Sequence, residues 1–239
     1  GADGIRDIAG NLAGDDLVTQ FAVYNPAAVH GSFVGAGFAT DPDQPVGSRA
    51  NPYATISEAI EAAAIGDRIQ ILPGVYSESI TMRQLVSLAS ADPSSTDTAF
   101  VPGNALQTII RAPAAQQSIT ISASGLTAFV DAGTGAALQT EIRGLTIASS
   151  LLGDPALGSL NPSTVGIKIE NSSILVMNNY IITSGVGVAI STSGADAQAP
   201  TLANNGVIGN ITGVLISDEG GTPESAYTKV VNNSFAFNT

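Results

Sequence analysis

The stretch VMNNYIITSGVGVAIS, residues 176–191, returns altered as LANNGVIGNITGVLIS at 202–217, and a third start, VVNNSFAFNT, occupies 230–239. GIKIE (166–170), GVAIS (187–191) and GVLIS (213–217) share one form at spacings of 21 and 26 residues. Lys168 and Glu170 are charged, so Ile167 and Ile169 are the inward pair of an extended strand. The same register turns Val188 and Ile190, then Val214 and Ile216, toward a core.

A second set of columns runs through EIRGLTI, LVMNNYI, TLANNGVI and KVVNNSF. It aligns Ile142, Val176, Leu202 and Val230, and five residues later Ile147, Ile181, Val207 and Phe235. Between them fall Leu145, Asn179, Asn205 and Asn233. Stacked asparagines can pair amide to amide along a column, which removes the cost of burying each one alone. Asparagine also tolerates the left-handed backbone that a sharp bend between strands needs. Equivalent residues at equivalent places in successive units indicate a solenoid, in which each coil buries its faces only against its neighbours. Period and strand content make it a parallel β-helix. A β-sandwich also has short, turn-separated strands, but gives no reason for the vertical repetition.

Composition agrees. Aromatic residues are only 5 % of the 239, with 26 Gly and no Trp, which suits small stacked coils better than a helix bundle. Eight Lys and Arg against twenty Asp and Glu leave a formal charge of −12, so phosphate backbones and anionic lipid surfaces are poor partners. The acidity reads first as a solubility device, and calcium is the main partner it could recruit. The absence of cysteine excludes disulfides, thiolate nucleophiles and Cys-ligated zinc. No apolar run is long enough to span a bilayer, and GADGIRD reads as a start cut from something longer.

Earlier coils are less regular: DRIQILPG, LVSLAS, TIIRA, SITIS and EIRGLTIAS supply short β-rich runs, with insertions DPSSTDTAFVPGNAL and SLLGDPALGSLNPS read as loops. Ahead of them, YATISEAIEAAAIGD carries a capping-box spacing at Thr55 and Glu58, an apolar stripe Ile56, Ala59, Ile60 and Ala63, and Gly66 as the expected end. Such a helix suits the open apolar end of a first coil.

Residues 33–80 add a resemblance. Pro52 and Tyr53 before the helix, Gly66 and Asp67, the run Ile69 to Leu72, and then Gly74, Tyr76 and Glu78 closely resemble the opening of pectin-lyase-like right-handed β-helix proteins. The resemblance implies an all-β, right-handed parallel β-helix over residues 31–239 with an N-terminal capping helix, continued by further coils after 239. Residues 1–30, with GIRDIAGNLAGDDLVTQFAVY, are similar to the closing strands of a bacterial Ig-like domain and are expected to be the remnant and linker of such a module.

The family contains lyases, methylesterases, hydrolases, epimerases and catalytically silent adhesins, so the fold does not name a function. The paired Asp elements of polygalacturonases, the Asp-Pro-His of epimerases and the downstream Gln, Asp and Arg-Trp elements of methylesterases have no match here. The outward residues of the GIKIE strands are Lys168, Glu170, Ala189, Ser191, Leu215 and Ser217, which offer one cation and one carboxylate. Lys168 with Glu170 reads as a surface pair before it reads as a lyase base with its partner. Arg143 is a candidate uronate clamp on a different sheet. Asp41 and Asp43, and Asp218 with Glu219, are acidic pairs within reach of a calcium ion, though polar loop residues are the simpler reading. Arg6, Asp7 and Asn11 shape a turn, and His30 sits in a linker. The Asn-x-Ser/Thr forms at Asn171, Asn210 and Asn232 read as bends rather than glycan sites.

No residue is therefore assigned a catalytic or cofactor-binding role. The sequence describes a non-catalytic β-helix of a large extracellular or cell-surface bacterial protein: a spacer, an adhesin or a carbohydrate-contacting surface. Its expected partners are polysaccharide or neighbouring surface subunits, not nucleic acid or membrane, with end-to-end self-association through the uncovered last coil. The alternative is part of a polysaccharide lyase or glycoside hydrolase acting on acidic polysaccharides.

Overall fold

The computed structural model describes residues 31–35, 37, 40–91, 104–113, 119–130, 137–149, 160, 162–193, 198–218 and 227–238. The proposed Ig-like remnant, with Arg6, Asp7, Asn11 and His30, lies outside them, as do Glu219 and most of both long insertions.

From Arg68 onward, the strands of three parallel sheets follow one another in turn, so that each complete circuit of the chain adds one strand to each. The seven-stranded sheet contains Gly31–Val34, Arg68–Ile71, Ser87–Ser90, Thr140–Arg143, Ile174–Met177, Thr201–Ala203 and Lys229–Val231. The six-stranded sheet contains Gly74–Ser77, Thr108–Arg111, Thr146–Ala148, Tyr180–Ile182, Gly206–Ile208 and Ser234–Ala236. The five-stranded sheet contains Ile80–Thr81, Ile119–Ser124, Val165–Glu170, Val186–Thr192 and Thr212–Asp218. This is a right-handed parallel β-helix. A short antiparallel hairpin, Phe129–Val130 with Ala137–Leu138, stands apart from the sheets.

The columns expected from the repeats are the observed registers. Ile142, Val176, Leu202 and Val230 pair in order on the seven-stranded sheet, and Ile147, Ile181, Val207 and Phe235 on the six-stranded one. Ile167, Val188 and Val214, and Ile169, Ile190 and Ile216, pair likewise on the third. Side chains up to the coil of Leu202 and Val207 are at most 1 % exposed in these columns. On the last described coil Val230, Phe235 and Ile216 are 44 %, 50 % and 52 % exposed, because a solenoid column is covered only by the coil above it.

Each two-residue bend between the seven- and six-stranded sheets divides its labour. The first residue, Gly144, Asn178, Asn204 or Asn232, takes positive φ at 52° to 67°. The second enters the interior column. Asn179 Nδ2 donates to Asn205 Oδ1 at 3.1 Å and to the Ile142 carbonyl at 2.9 Å, while Asn205 Nδ2 donates to Asn233 Oδ1 and to the Val176 carbonyl, both at 2.9 Å. Their oxygens accept the backbone N–H of the preceding coil, from Leu145 to Asn179 and from Asn179 to Asn205. The repeated NN is therefore two signals, one conformational and one hydrogen-bonding.

The next bend follows the same grammar, a parallel not anticipated from sequence. Thr183, Gly209 and Phe237 have positive φ, and behind them Ser184, Asn210 and Asn238 form a second column. Asn210 Oδ1 accepts from Ser184 N at 2.9 Å, and Asn210 Nδ2 donates to Asn238 Oδ1 at 3.2 Å. The separations of 26 and 28 residues equal those of the first ladder, a signal present in the sequence all along. Asn210 is thus a buried ladder residue, and Asn171 and Asn232 occupy left-handed bends.

Glycine stands second in the last three strands of the five-stranded sheet for a steric reason. A Cβ on Gly166 would stand 2.6 Å from the Gly187 carbonyl oxygen, and one on Gly187 would stand 2.5 Å from that of Gly213. No backbone of the next coil could remain where it is.

The helix, Ile56–Ala62, closes the first coil with Ile56, Ala59 and Ile60 buried, and Thr55 and Glu58 form the reciprocal capping box. One detail differs from expectation: the helix ends at Ala62 with Ala63 extended, and Gly66 supplies a later turn at φ 94°. No glycine cap is needed because Arg83 reaches the last carbonyls, of Ile60, Glu61 and Ala63, at 2.6 to 3.2 Å. At the other end Glu78 accepts from the backbone of Ile56 and Ser57 at 2.9 and 3.0 Å. Tyr76, buried beside Gly74, donates to the Leu72 carbonyl at 2.7 Å. The Gly-x-Tyr-x-Glu element thus locks the cap onto the first coil.

Replacing Asn205 by Leu removes the acceptor of the Asn179 N–H, one of the two acceptors of its NH2 and the side-chain donor to the Val176 carbonyl, and a loss of about 1–3 kcal/mol is expected in urea unfolding. Gly187→Ala forces a methyl against backbone, with a further expected cost of about 1–3 kcal/mol by the same measurement.

Candidate functional site

Two surface grooves follow from this stacking. The first lies on the outer face of the five-stranded sheet, where alternate residues point to solvent. Lys168 aligns with Ala189 and Leu215, and Glu170 with Ser191 and Ser217. These residues line a shallow depression of about 220 Å³. Lys168 Nζ stands 2.7 Å from Glu170 Oε1, so the cation and the carboxylate neutralise each other. With side chains 37 % and 43 % exposed, the pair is screened by water.

The other charged candidates are spread across the molecule. Arg143 projects from the seven-stranded sheet, as expected, where its Nε lies 3.3 Å from Glu141 and its Nη2 donates to Met177 Sδ at 3.0 Å. Glu141 also faces Arg68 at 3.7 Å. The clamp proposed for a uronate is therefore engaged with its own carboxylate. Asp41 Oδ1 accepts from Asp43 N at 3.1 Å and shapes its own turn, and Asp218 ends the last strand of the five-stranded sheet. Among the described residues, no three His, Asp or Glu side chains gather at metal-binding distance.

The second groove was not anticipated. It has a volume of about 620 Å³ and runs beside the asparagine bends, from Leu106 past Asn178 and Tyr180 to Asn204 and Asn232. Its direction is that of the solenoid axis, because its walls come from equivalent positions on successive coils. Thr146, Tyr180, Gly206 and Ser234 form one outward column, and the Tyr180 ring leans over Gly206, where a Cβ would meet it at 2.9 Å. Every described residue lining the groove is uncharged. The ladder asparagines Asn179 and Asn205 form its floor with their amides spent inside the stack, whereas Asn178, Asn204 and Asn232 stand on its rim. Its sequence signal was the variable residue after NN: Tyr in one coil and Gly in the next.

Comparison with known proteins matches residues 39–239 to the family described as "Protein of unknown function (DUF1565)". Pectin methylesterase PemA from Erwinia chrysanthemi is a similar solved structure, with 15 % identity and a TM-score of 0.43 over 74 % of this chain. The chain spans about 55 % of that protein's length. No curated protein sequence matches it.

Because the Lys168–Glu170 pair is exposed, Lys168→Ala and Glu170→Ala are each expected to change unfolding free energy by less than about 1 kcal/mol. Thermal unfolding of the two variants and their double mutant checks this.

Proposed function

We propose, from the premise that the chain belongs to the DUF1565 family, that its β-helix is a rigid, non-catalytic scaffold whose outer surface contacts polysaccharide. The observation that carries this reading is the axial groove of about 620 Å³ beside the asparagine bends. An extended groove walled by equivalent positions on successive coils suits a linear polymer of repeated units. The stacked core, with two side-chain ladders and a doubly capped helix, supplies a preformed and unyielding platform, so little ordering cost attaches to binding. An extracellular or cell-surface setting, in which such polymers are met, completes the proposal. Among the described residues, no helix is long and apolar enough to cross a membrane.

A second reading, an acidic-polysaccharide lyase or hydrolase, is favoured by one observation: the groove over Lys168 and Glu170 holds an acid–base pair beside Ser191 and Ser217. β-Elimination on a uronate needs a base at the C5 proton and cations to hold the developing enolate charge. Lys168, paired with Glu170, supplies neither task alone. Glycoside hydrolysis needs two carboxyl groups facing across the scissile bond, and Ser191 and Ser217 occupy the column of Glu170.

Incubated with polygalacturonate, methylated pectin or alginate, with and without Ca²⁺, the chain is expected to produce no ultraviolet-absorbing unsaturated uronate, no methanol and no new reducing ends. Growth of the unsaturated product that disappears in Lys168→Ala would establish the second reading in place of the first.

A further inference from the structure

The geometry points to the groove beside the asparagine bends as a binding site for neutral, uncharged pyranose chains, with the Tyr180 ring as its stacking platform and the rim amides of Asn178, Asn204 and Asn232 as its hydroxyl readers. The inference rests on the polysaccharide reading above and specifies its site and ligand class.

The chemistry of the lining makes the selection. A pyranose ring has an apolar C–H face and an equatorial belt of hydroxyls. The first packs on an aromatic ring, and the second needs groups that both donate and accept. Tyr180 is 38 % exposed, and its ring is held over Gly206, where any side chain would displace it. Leu106, 66 % exposed, adds an apolar surface at the end of the groove. A primary amide carries two donors and an acceptor, so it suits a hydroxyl in either sense. Three such amides recur on three coils, at the inter-strand step of about 4.8 Å.

Their backbone makes the row reproducible. Asn178, Asn204 and Asn232 have φ of 57°, 54° and 52°, and their N–H groups, where paired, bond along the coil stack, as Asn178 N does to the Ala203 carbonyl at 3.1 Å. The left-handed conformation alone does not require asparagine, since Gly144 and Leu85 also have positive φ. Asparagine on all three coils thus adds an amide that the bend itself does not use.

Charge disfavours the acidic alternative at this site. No cation stands among the described residues lining the groove, and the chain carries a formal −12, so a polyuronate would meet repulsion without a compensating partner there. A nucleic acid would meet the same field. A peptide strand would seek unpaired backbone N–H and C=O groups, and the inner strands bordering the groove, Tyr180–Ile182 and Gly206–Ile208, spend theirs on the coils to either side.

Titration calorimetry of the full chain with cellohexaose, mannohexaose, xylohexaose and hexagalacturonate tests this. At least one neutral hexasaccharide is expected to bind, and hexagalacturonate to bind more weakly. Tyr180→Ala is expected to weaken the neutral ligand about tenfold or more, and Tyr180→Phe to keep it within about twofold. Asn204→Gly, which preserves the left-handed backbone while deleting the amide, is expected to weaken it several-fold. Lys168→Ala, on the other groove, is expected to leave it unchanged. Unfolding midpoints matching the parent keep these losses local. Neutral binding that survives Tyr180→Ala, or a preference for hexagalacturonate lost in Lys168→Ala, would overturn the site and class while leaving polysaccharide contact intact. Failure of all four sugars to bind would overturn the inference and the polysaccharide reading together.

Discussion

The structure depends on how the bends satisfy their own backbone. Parallel strands solve hydrogen bonding along the axis, but every corner of a coil brings donors and acceptors into the interior where no strand can meet them. The stacked amides answer this. Asn205 accepts from the N–H and side chain of Asn179, donates to the Val176 carbonyl and passes a further bond to Asn233. Asn179 and Asn205 therefore each tie three coils. The second column, through Ser184, Asn210 and Asn238, does the same at the adjacent corner. Two corners held in this way keep the coils in register, and the aliphatic columns between them can pack without slippage.

A solenoid so built is stable only where it is covered. At the N-terminal side the covering is explicit: the buried stripe of Ile56, Ala59 and Ile60 lies over the first coil, and side chains from that coil cap both ends of the helix. Glu78 meets the N–H groups where negative charge is favoured, and Arg83 meets the carbonyls where positive charge is favoured. The two residues most distinctive of the opening motif, Tyr76 and Glu78, are both structural.

The outer surface inherits the regularity of the core. Because each strand repeats its neighbour's register, a feature on one coil recurs on the next, and grooves run along the axis instead of across it. Among the described residues, the repeat is broken outward at two such grooves. On the five-stranded sheet the break is Lys168 with Glu170, charges that face each other and leave only small or apolar residues beyond. Beside the asparagine bends it is Tyr180 over Gly206, an aromatic ring given space by a missing side chain.

The residues of the repeat by themselves determined the β-helix, its inward columns and the stacked asparagines, because period-two burial and vertical repetition are written locally in GIKIE, GVAIS and the NN pairs. The capping box was equally local. The second ladder was also legible in its matching spacing, but a serine at Ser184 and unlike residues at Thr183, Gly209 and Phe237 hid the column. What only the tertiary structure decided is the relation between residues of different coils on the outer face. Lys168 and Glu170 are two apart in sequence, yet whether they face a ligand or each other depends on side-chain geometry, and they face each other at 2.7 Å. Arg143 is held by Glu141 for the same reason. Tyr180 and Gly206 become one surface only because the chain returns to the same place after a full coil. Burial constrains inward residues wherever they occur, while an outward site arises from neighbours that the chain brings together only by folding.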